Sequence, residues 1–303
     1  MTILVGTEDG LHELDESKGP IGVHLAGHSV QCLAPEGSGW WALTDGEDLW
    51  RPGRPGAWDQ AATSSGQRLN CLSPTTAGLL VGAEEASLLR LEDEKLQPVT
   101  AFEAVDGRDN WYTPWGGPPD VRSISEEPGR AVFVNVHVGG VVRSTDNGKS
   151  FHPTIDIDTD VHQVLARSGR PGLVFAATGT EGVAVSTDGG DSWVFATDGL
   201  HASYSRAVAV GATVLLASAS TGPRGGRAAV YRRPLDGEGP FVRCTEGLPE
   251  WFPANIDTFC LAASGTRTAF GTEEGSVFVS SDEGDTWRVL AEGLPAVRCL
   301  ALS

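Results

Sequence analysis

Three histidines in this sequence lie at strand ends that would fall on one face of the fold, where they could bind a metal ion. His137 lies in NVHVGG, His162 in DVHQV and His201 in GLHASYSR, each at one end of an apolar segment that is typical of a β-strand. Three neutral imidazoles that leave an open coordination position commonly bind a divalent metal ion, which can activate water. A histidine at a polar rim can equally serve as a simple hydrogen-bonding residue, so both interpretations stay open at this point.

Charged and hydroxyl side chains recur where the apolar segments begin. One repeated position holds Arg122, Arg206 and Arg298, and the position two residues earlier holds Asp160, Tyr204 and Asp257. We predict that Arg122 and Arg206 neutralise an anionic substrate. We expect Tyr204 and Asp160 to complete a catalytic group, and Arg298 and Asp257 to bind ligand. Structural salt bridges between neighbouring sheets are the alternative reading of the same charges.

Two long segments carry aromatic side chains. GRDNWYTPWGGPPD contains Trp111 and Trp115, and EGLPEWFPANID contains Trp251. Long loops with aromatic residues on a rigid scaffold often form the walls of a ligand site, so we predict that these tryptophans bind ligand. Packing into the core is the competing interpretation.

Repeats show which elements must position these residues. Seven similar apolar segments start at residues 29, 68, 120, 160, 204, 257 and 296, with sequences SVQCLA, RLNCLS, DVRSIS, DVHQVL, YSRAVA, DTFCLA and AVRCLA. Each opens a unit of four short strands, which predicts an all-β, seven-bladed β-propeller of four-stranded antiparallel blades that spans residues 1–303 as a single domain.

The two ends of the chain complete one another in this prediction. The seventh segment stops at the C-terminus, and TILVGTEDGLHEL at the N-terminus supplies the strands that it lacks. A closing blade made of 296–303 and 1–28 would leave no long exposed sheet edge. The starts of all seven segments then lie on one loop-rich face, together with the histidines, the charged positions and the aromatic loops.

An octapeptide turn occurs three times, as STDNGKSF at 144–151, STDGGDSW at 186–193 and SSDEGDTW at 280–287. Its Ser and Asp side chains can accept backbone hydrogen bonds, and its Gly permits a positive φ. The turn resembles the Asp-box (BNR) repeat of sialidases, sortilin-type receptor domains and photosystem II assembly factors. That resemblance implies a propeller in which Asp146, Asp188 and Asp282 are structural and lie opposite the usual ligand face.

The resemblance to sialidases and xyloglucanases suggests glycosidase activity, but the candidate site residues here do not match the sites of those enzymes. The arginines do not match the arrangement that the resemblance to sialidases implies, and xyloglucanases place paired Asp residues between two propellers, whereas this chain has one. We therefore predict a small-molecule site on the loop-rich face that acts as a metal-dependent hydrolase or lyase through a divalent metal ion. The alternatives are a non-catalytic protein-binding or assembly scaffold and a carbohydrate-binding propeller.

Composition argues against two classes of partner. Lys and Arg total 22 against 40 Asp and Glu, a net charge of −18, and no basic stripe is visible. We therefore expect no nucleic acid and no membrane surface as a partner. The N-terminus lacks a basic region and a signal-like apolar core, so we expect a cytoplasmic protein.

Overall fold

The fold consists of seven four-stranded antiparallel sheets within residues 2–37, 39–54, 56–237 and 239–303, which are the residues that the computed structural model describes. This confirms the predicted seven-bladed β-propeller. The only helical elements in that part of the chain are a helix α1 (Thr100–Glu103) and a 3-10 turn (Arg108–Asn110). Neither is long and apolar enough to cross a membrane.

Each blade is a meander in which strands that follow one another in sequence are neighbours in the sheet. Blade 1 contains β1 (Thr2–Thr7), β2 (Gly10–Asp15) and β3 (Gly19–His24). Blade 2 contains β4 (Val30–Glu36), β5 (Gly39–Thr44), β6 (Asp48–Pro52) and β7 (Trp58–Thr63). Blade 3 contains β8 (Leu69–Thr75), β9 (Gly78–Ala83), β10 (Ser87–Glu92) and β11 (Lys95–Pro98). Blade 4 contains β12 (Asp120–Glu127), β13 (Ala131–His137), β14 (Gly140–Ser144) and β15 (His152–Pro153).

The remaining blades follow the same pattern. Blade 5 contains β16 (Val161–Ala166), β17 (Val174–Thr178), β18 (Val183–Ser186) and β19 (Val194–Ala196). Blade 6 contains β20 (Val208–Val210), β21 (Val214–Ala219), β22 (Ala229–Pro234) and β23 (Val242–Arg243). Blade 7 contains β24 (Leu261–Ser264), β25 (Arg267–Gly271), β26 (Val277–Ser280) and β27 (Arg288–Ala291), and the last strand of the chain is β28 (Val297–Leu302).

The C-terminal strand completes blade 1, as the sequence predicted. β28 pairs antiparallel with β1, with Gly6 opposite Cys299. Glycine is required at residue 6, because a Cβ there would lie 2.4 Å from Cys299 Sγ and 2.6 Å from the Val30 carbonyl oxygen. The two chain ends are therefore held in one sheet by backbone hydrogen bonds and by close packing.

Two compact units can be distinguished within the chain. Unit 1 comprises Met1–Cys32, Ala177–Val183 and Phe195–Ser303, and unit 2 comprises Leu33–Ala176 and Ala184–Val194. A single domain over residues 1–303 stays a prediction.

Each unit has its own aromatic or aliphatic core. In unit 1, the Phe270 ring stacks on Phe278 at 4.9 Å and meets Phe252 edge-on at 5.4 Å. In unit 2, Phe133 and Val161 are fully buried in a cluster that consists otherwise of small aliphatic side chains. Alternation along these strands buries one face of each strand, as a period of two requires.

The start of the first strand differs from the prediction in two blades. In five blades it lies within one residue of the predicted opening, but β20 starts at Val208 rather than 204 and β24 at Leu261 rather than 257. Phe259 has a φ of 66°, a left-handed conformation that interrupts an extended strand. Tyr204 lies before β20 and forms an isolated bridge to Ser220. The residues directly before β20 and β24 therefore lie in loops, where no strand register sets the direction of the side chains.

The repeated octapeptides form hairpins stabilised from within. In the second hairpin, Ser186 Oγ accepts a 2.7 Å hydrogen bond from the Gly190 N–H, and the Ser192 N–H donates to Asp188 at 2.9 Å. Hydrogen bonds from the Ser192 hydroxyl and backbone lower the pKa of Asp188 to about 2. The carboxylate is fully used by its own turn, which agrees with the predicted structural role.

Candidate functional site

A compact His–Asp group lies in unit 2. It comprises His137, Asp160 and His162, one ligand atom of each lying within 4.8 Å of the others. His137 Nε2 is 2.9 Å from Asp160 Oδ1, and His162 Nε2 is 3.5 Å from the same oxygen. The donor set of two imidazoles and a carboxylate is one that first-row divalent ions use.

Strand geometry explains why these three residues meet. His137 is the last residue of β13, and Asp160 lies directly before β16. His162 is the second residue of β16, and residues two apart on an extended segment project to the same side, which places it beside Asp160. The His162 side chain is only 1% exposed, so its position is set by packing rather than by solvent.

The carboxylate at the centre of this group is buried against two imidazoles. Asp160 Oδ1 is inaccessible to solvent and lies 2.9 Å from His137 Nε2, a contact that helps to lower the pKa of Asp160. Burial acts to raise the pKa of Asp160, but His137, His162 and Arg122 outweigh it and hold the pKa below its usual value. A buried anionic oxygen that faces two imidazole nitrogens is the arrangement that a cation would complete.

A second carboxylate and an arginine lie beside the group. Asp120 begins β12 opposite His137, and burial raises the pKa of Asp120 while the Arg122 charge partly offsets this. Arg122 makes no ion pair with the described side chains and carries its charge near both Asp120 and Asp160. Arg122 is therefore available to an anionic group bound next to the His–Asp group.

The two tryptophans of the preceding loop differ in role. Trp115 is 64% exposed, and its ring centroid is 5.3 Å from that of His137. Trp111 is 9% exposed and packs against Phe102 at 5.7 Å, with the Arg108 guanidinium 5.1 Å from its ring. The ligand-binding prediction therefore stays with Trp115, whereas Trp111 is occupied in the core because Phe102 and Arg108 cover its ring.

His201 lies in a different cluster, within unit 1. Its Nδ1 is 2.7 Å from the Tyr231 hydroxyl, and its ring is 4.7 Å from that of Trp251. Burial lowers the pKa of His201, and the charges of Arg227 and Arg243 act in the same direction. The three predicted histidine ligands do not form one group among the described residues, because His201 is held by Tyr231 and Trp251. The third member of the group that contains His137 and His162 is Asp160.

Trp251 is also engaged with its own neighbours. Arg227 and Arg243 hold their guanidinium carbons 4.5 and 4.3 Å from its ring centroid. These cation–π contacts cover part of the Trp251 ring, which the sequence had predicted to form a wall of the ligand site.

Unit 1 also contains a polar cavity of ≈ 260 Å³. The charged side chains that line it are Arg206, Arg224, Asp257, Glu273 and Arg298. Three of them, Arg206, Asp257 and Arg298, were predicted as site residues from the sequence. Arg224 and Glu273 were missed, although the long STGPRGGRA loop, which includes Arg224, gave a signal for the first of these.

Arg206 is the most constrained of these side chains. Its Nη1 donates to Asp257 at 2.8 Å, and its Nε and Nη2 donate to the Tyr204 hydroxyl at 3.2 and 3.1 Å. Burial acts to lower the pKa of Arg206, but Asp257 and Tyr204 outweigh it and raise the pKa. Tyr204 thus positions Arg206 in this arrangement.

Comparison with known proteins reveals similarity in fold alone. No protein-family model and no curated protein matches the sequence. A solved GH74 enzyme from Niastella koreensis is 14% identical, with a TM-score of 0.63 over 94% of this chain and 46% of its own. The structure described as YCF48 bound to D1 peptide is 11% identical, with a TM-score of 0.59 over 88% of this chain and 84% of its own. The WD40 β-propeller domain of Doa1 is 12% identical, with a TM-score of 0.63 over 94% and 86%.

These similarities define the class of protein and no more. The chain spans about half the length of the GH74 enzyme that it matches. The neighbours include an enzyme, a peptide complex and a WD40 domain, and a propeller supports many unrelated activities. The chain is a seven-bladed β-propeller whose function has to be argued from its own side chains.

Proposed function

We propose that this protein binds a divalent transition-metal ion through His137, Asp160 and His162, and that the metal site hydrolyses a small anionic substrate. The observation that carries the proposal is the buried Asp160 Oδ1, which has two imidazole nitrogens at 2.9 and 3.5 Å and lies in a group of three possible ligand atoms within 4.8 Å of one another. Ligand atoms around a tetrahedral ion lie about 3.4 Å apart, given metal–ligand bonds of about 2.0–2.1 Å. The 3.5 Å separation matches that spacing, whereas His137 Nε2 and Asp160 Oδ1, 2.9 Å apart, would have to separate by about 0.5 Å, which a side-chain rotation can supply.

A metal ion in this position would lower the pKa of a bound water and polarise a substrate oxygen. Three protein ligands leave a coordination position for that water. The Arg122 guanidinium, which has no ion-pair partner in the described residues, would hold the negative charge of the substrate. Hydrolysis then adds the elements of one water molecule across the bond that breaks, and no other reactant is needed.

Trp115 supplies a further part of the proposed site. Its ring is largely exposed next to the His137 ring, where it offers an apolar surface to the part of the substrate away from the charge. We therefore expect a substrate with one anionic end, beside Arg122, and an apolar or planar body, beside Trp115.

Metal binding is tested first with the metal ion alone. Purified protein, stripped of metal and titrated with Co²⁺, should develop the visible absorption of a cobalt–imidazole site at one equivalent, and Zn²⁺ should displace it. His162→Gln should abolish this absorption. His152→Gln is the matched control, because His152 is exposed and lies outside the group. Wild-type protein that binds no Co²⁺, or a His162→Gln variant that binds as well as wild type, would overturn the proposal.

Protein binding is the second candidate function. The outermost strands of blades 6, 7 and 1 expose Val242, Val289 and Val23, at 57, 42 and 53%. Outer strands have unpaired backbone groups to which an extended peptide can add. One similar fold is described as bound to a peptide. Substitution of Val242 and Val289 by Lys should abolish co-purification of a stoichiometric protein partner, and absence of any such partner from wild type would remove this candidate.

A further inference from the structure

The cavity in unit 1 has a lining unlike that of the His–Asp group. It is a partly open pocket of ≈ 260 Å³ that brings together three arginines, Arg206, Arg224 and Arg298. The whole chain has only 22 Lys and Arg against 40 Asp and Glu, so a cluster of three cations runs against the overall composition. A pocket of this volume suits a small polar molecule.

Two of the three guanidiniums are fixed by carboxylates. Arg206 is paired with Asp257 at 2.8 Å, and Arg298 is paired with Glu8. Burial opposes the positive charge of Arg298, but Glu8 outweighs it and raises the pKa of Arg298. Both cations are therefore held in place in the free protein, so that little conformational entropy is lost when they contact a ligand.

The loop that carries Arg224 is also fixed. Arg206 Nη2 donates to the Pro223 carbonyl at 3.1 Å, and the Gly226 N–H donates to the Pro253 carbonyl at 2.8 Å. Gly225 has a φ of 77°, and a Cβ at this residue would lie 2.8 Å from the Pro253 carbonyl oxygen. The backbone on both sides of Arg224 is thus tightly defined, although the residue lies in a loop.

Arg224 itself is exposed to solvent and has no hydrogen-bond or ion-pair partner among the described side chains. The loop places it at the cavity wall, where Asp257 is already used by Arg206. A guanidinium presents five N–H donors in a planar fork that matches a carboxylate or phosphate oxygen pair. An anionic group bound in the cavity would give Arg224 the partner that the protein does not supply.

Charge on the lining decides which anion fits. The lining contains three arginines with Asp257 and Glu273, and Glu8 is paired with Arg298, so three carboxylates offset the three guanidiniums. A ligand with one carboxylate adds little negative charge here, whereas a phosphate monoester brings about −1.5 to −2 charges next to those carboxylates. Glu273 also offers acceptor oxygens to a hydroxyl or ammonium group on the ligand.

We infer that this cavity binds a small monocarboxylate that carries a hydroxyl or ammonium substituent, with Arg224 contacting the carboxylate and Glu273 the substituent. The inference stands apart from the proposed metal site, since all of its residues lie in unit 1 and none is a proposed metal ligand. The source of the negative charge, carboxylate or phosphate, is the point that the experiment resolves.

The probes are lactate, serine and inorganic phosphate, each titrated by isothermal calorimetry at constant ionic strength into protein that has been stripped of metal with EDTA and then dialysed free of EDTA. Lactate or serine should bind saturably with a dissociation constant in roughly the millimolar range, more tightly than phosphate. Loss of a charge-assisted contact in Arg224→Gln should weaken this binding roughly tenfold. Arg170→Gln is the matched control, because Arg170 is an exposed loop arginine that does not line the cavity.

Three outcomes would overturn the inference: no saturable binding of lactate or serine, phosphate binding more tightly than either, or equal weakening by the two substitutions. A Glu273→Gln variant tests the contact with the substituent, because it should weaken serine binding more than acetate binding. Removal of metal with EDTA keeps these results independent of the proposed metal site, so failure here leaves the cobalt titration to decide that proposal by itself.

Discussion

The His–Asp group of unit 2 and the arginine cavity of unit 1 satisfy their charges in opposite ways. In the first, the buried carboxylate of Asp160 faces two imidazole nitrogens. In the second, Asp257 is paired with Arg206, and the exposed Arg224 has no ion-pair partner among the described side chains. We therefore expect a cation to bind in the first region and an anion in the second.

The largest effect is expected where the central carboxylate loses its charge. Asp160→Asn keeps the size of the side chain but removes the anionic metal ligand, so Co²⁺ affinity should fall roughly 100-fold, at the upper end of the 10–100-fold range found when even an outer-shell partner of a metal ligand is lost. Competition against a chromogenic chelator measures this affinity. The same variant should bind lactate like wild type, and a change in lactate binding would show that the two regions are not independent.

A smaller but substantial effect is expected from the paired arginine of the cavity. Arg206→Ala leaves Asp257 without its 2.8 Å partner and removes the donors to the Tyr204 hydroxyl. We expect a loss of about 2 kcal/mol in the free energy of unfolding. Arg224→Gln should change it by less than about 0.5 kcal/mol, as for an ordinary surface position. Urea denaturation of both variants tests the contrast, and equal losses would contradict the assignment of Arg224 as unpartnered.

Acid should affect the two units through their hairpins. The pKa of Asp282 in unit 1 is held at about 2 by hydrogen bonds from Thr286 that outweigh burial, and Asp188 in unit 2 also has a pKa of about 2. A lowered folded-state pKa stabilises the protein above the unfolded value near 3.8, and this contribution is lost as the pH falls towards 2.

Asp188→Asn should therefore be less stable than wild type at neutral pH and should lose less stability between pH 4 and pH 2. Thermal unfolding followed by circular dichroism across that range measures the difference. Asp282→Asn should behave alike, and a variant whose pH dependence parallels that of wild type would show that its hairpin carboxylate does not contribute.

The smallest effect on metal binding is expected from the third histidine. His201→Phe should leave Co²⁺ affinity within about twofold of wild type, because His201 contacts Tyr231 and Trp251 and is outside the His–Asp group. The unpaired Tyr231 hydroxyl, on a side chain that is 2% exposed, should cost about 1 kcal/mol of stability. Loss of the cobalt spectrum in this variant would restore the three-histidine interpretation.

Among the described residues, the structure brings together two of the three histidines that the sequence analysis grouped. His137 and His162 lie in one group, since each lies at a strand end that the repeats had predicted. His201 follows a similar pattern in sequence, but the strand after it starts late, at Val208, and the intervening loop brings Tyr231 and Trp251 against the ring. The position of a loop residue depends on such packing, which repeat spacing does not encode.

The sequence by itself determined the number of blades, their four-strand order and the pairing of the chain ends. These follow from local alternation, repeated turns and the recurrence of one apolar segment, and each repeat carries that information independently. Only the tertiary structure decided which polar side chains converge. Asp160 lies with His137 and His162, and Arg224 lines a pocket with Arg206 and Arg298, because residues distant in sequence come together in the folded chain. Hydrogen-bond satisfaction is a property of the packed molecule, and no single repeat contains it.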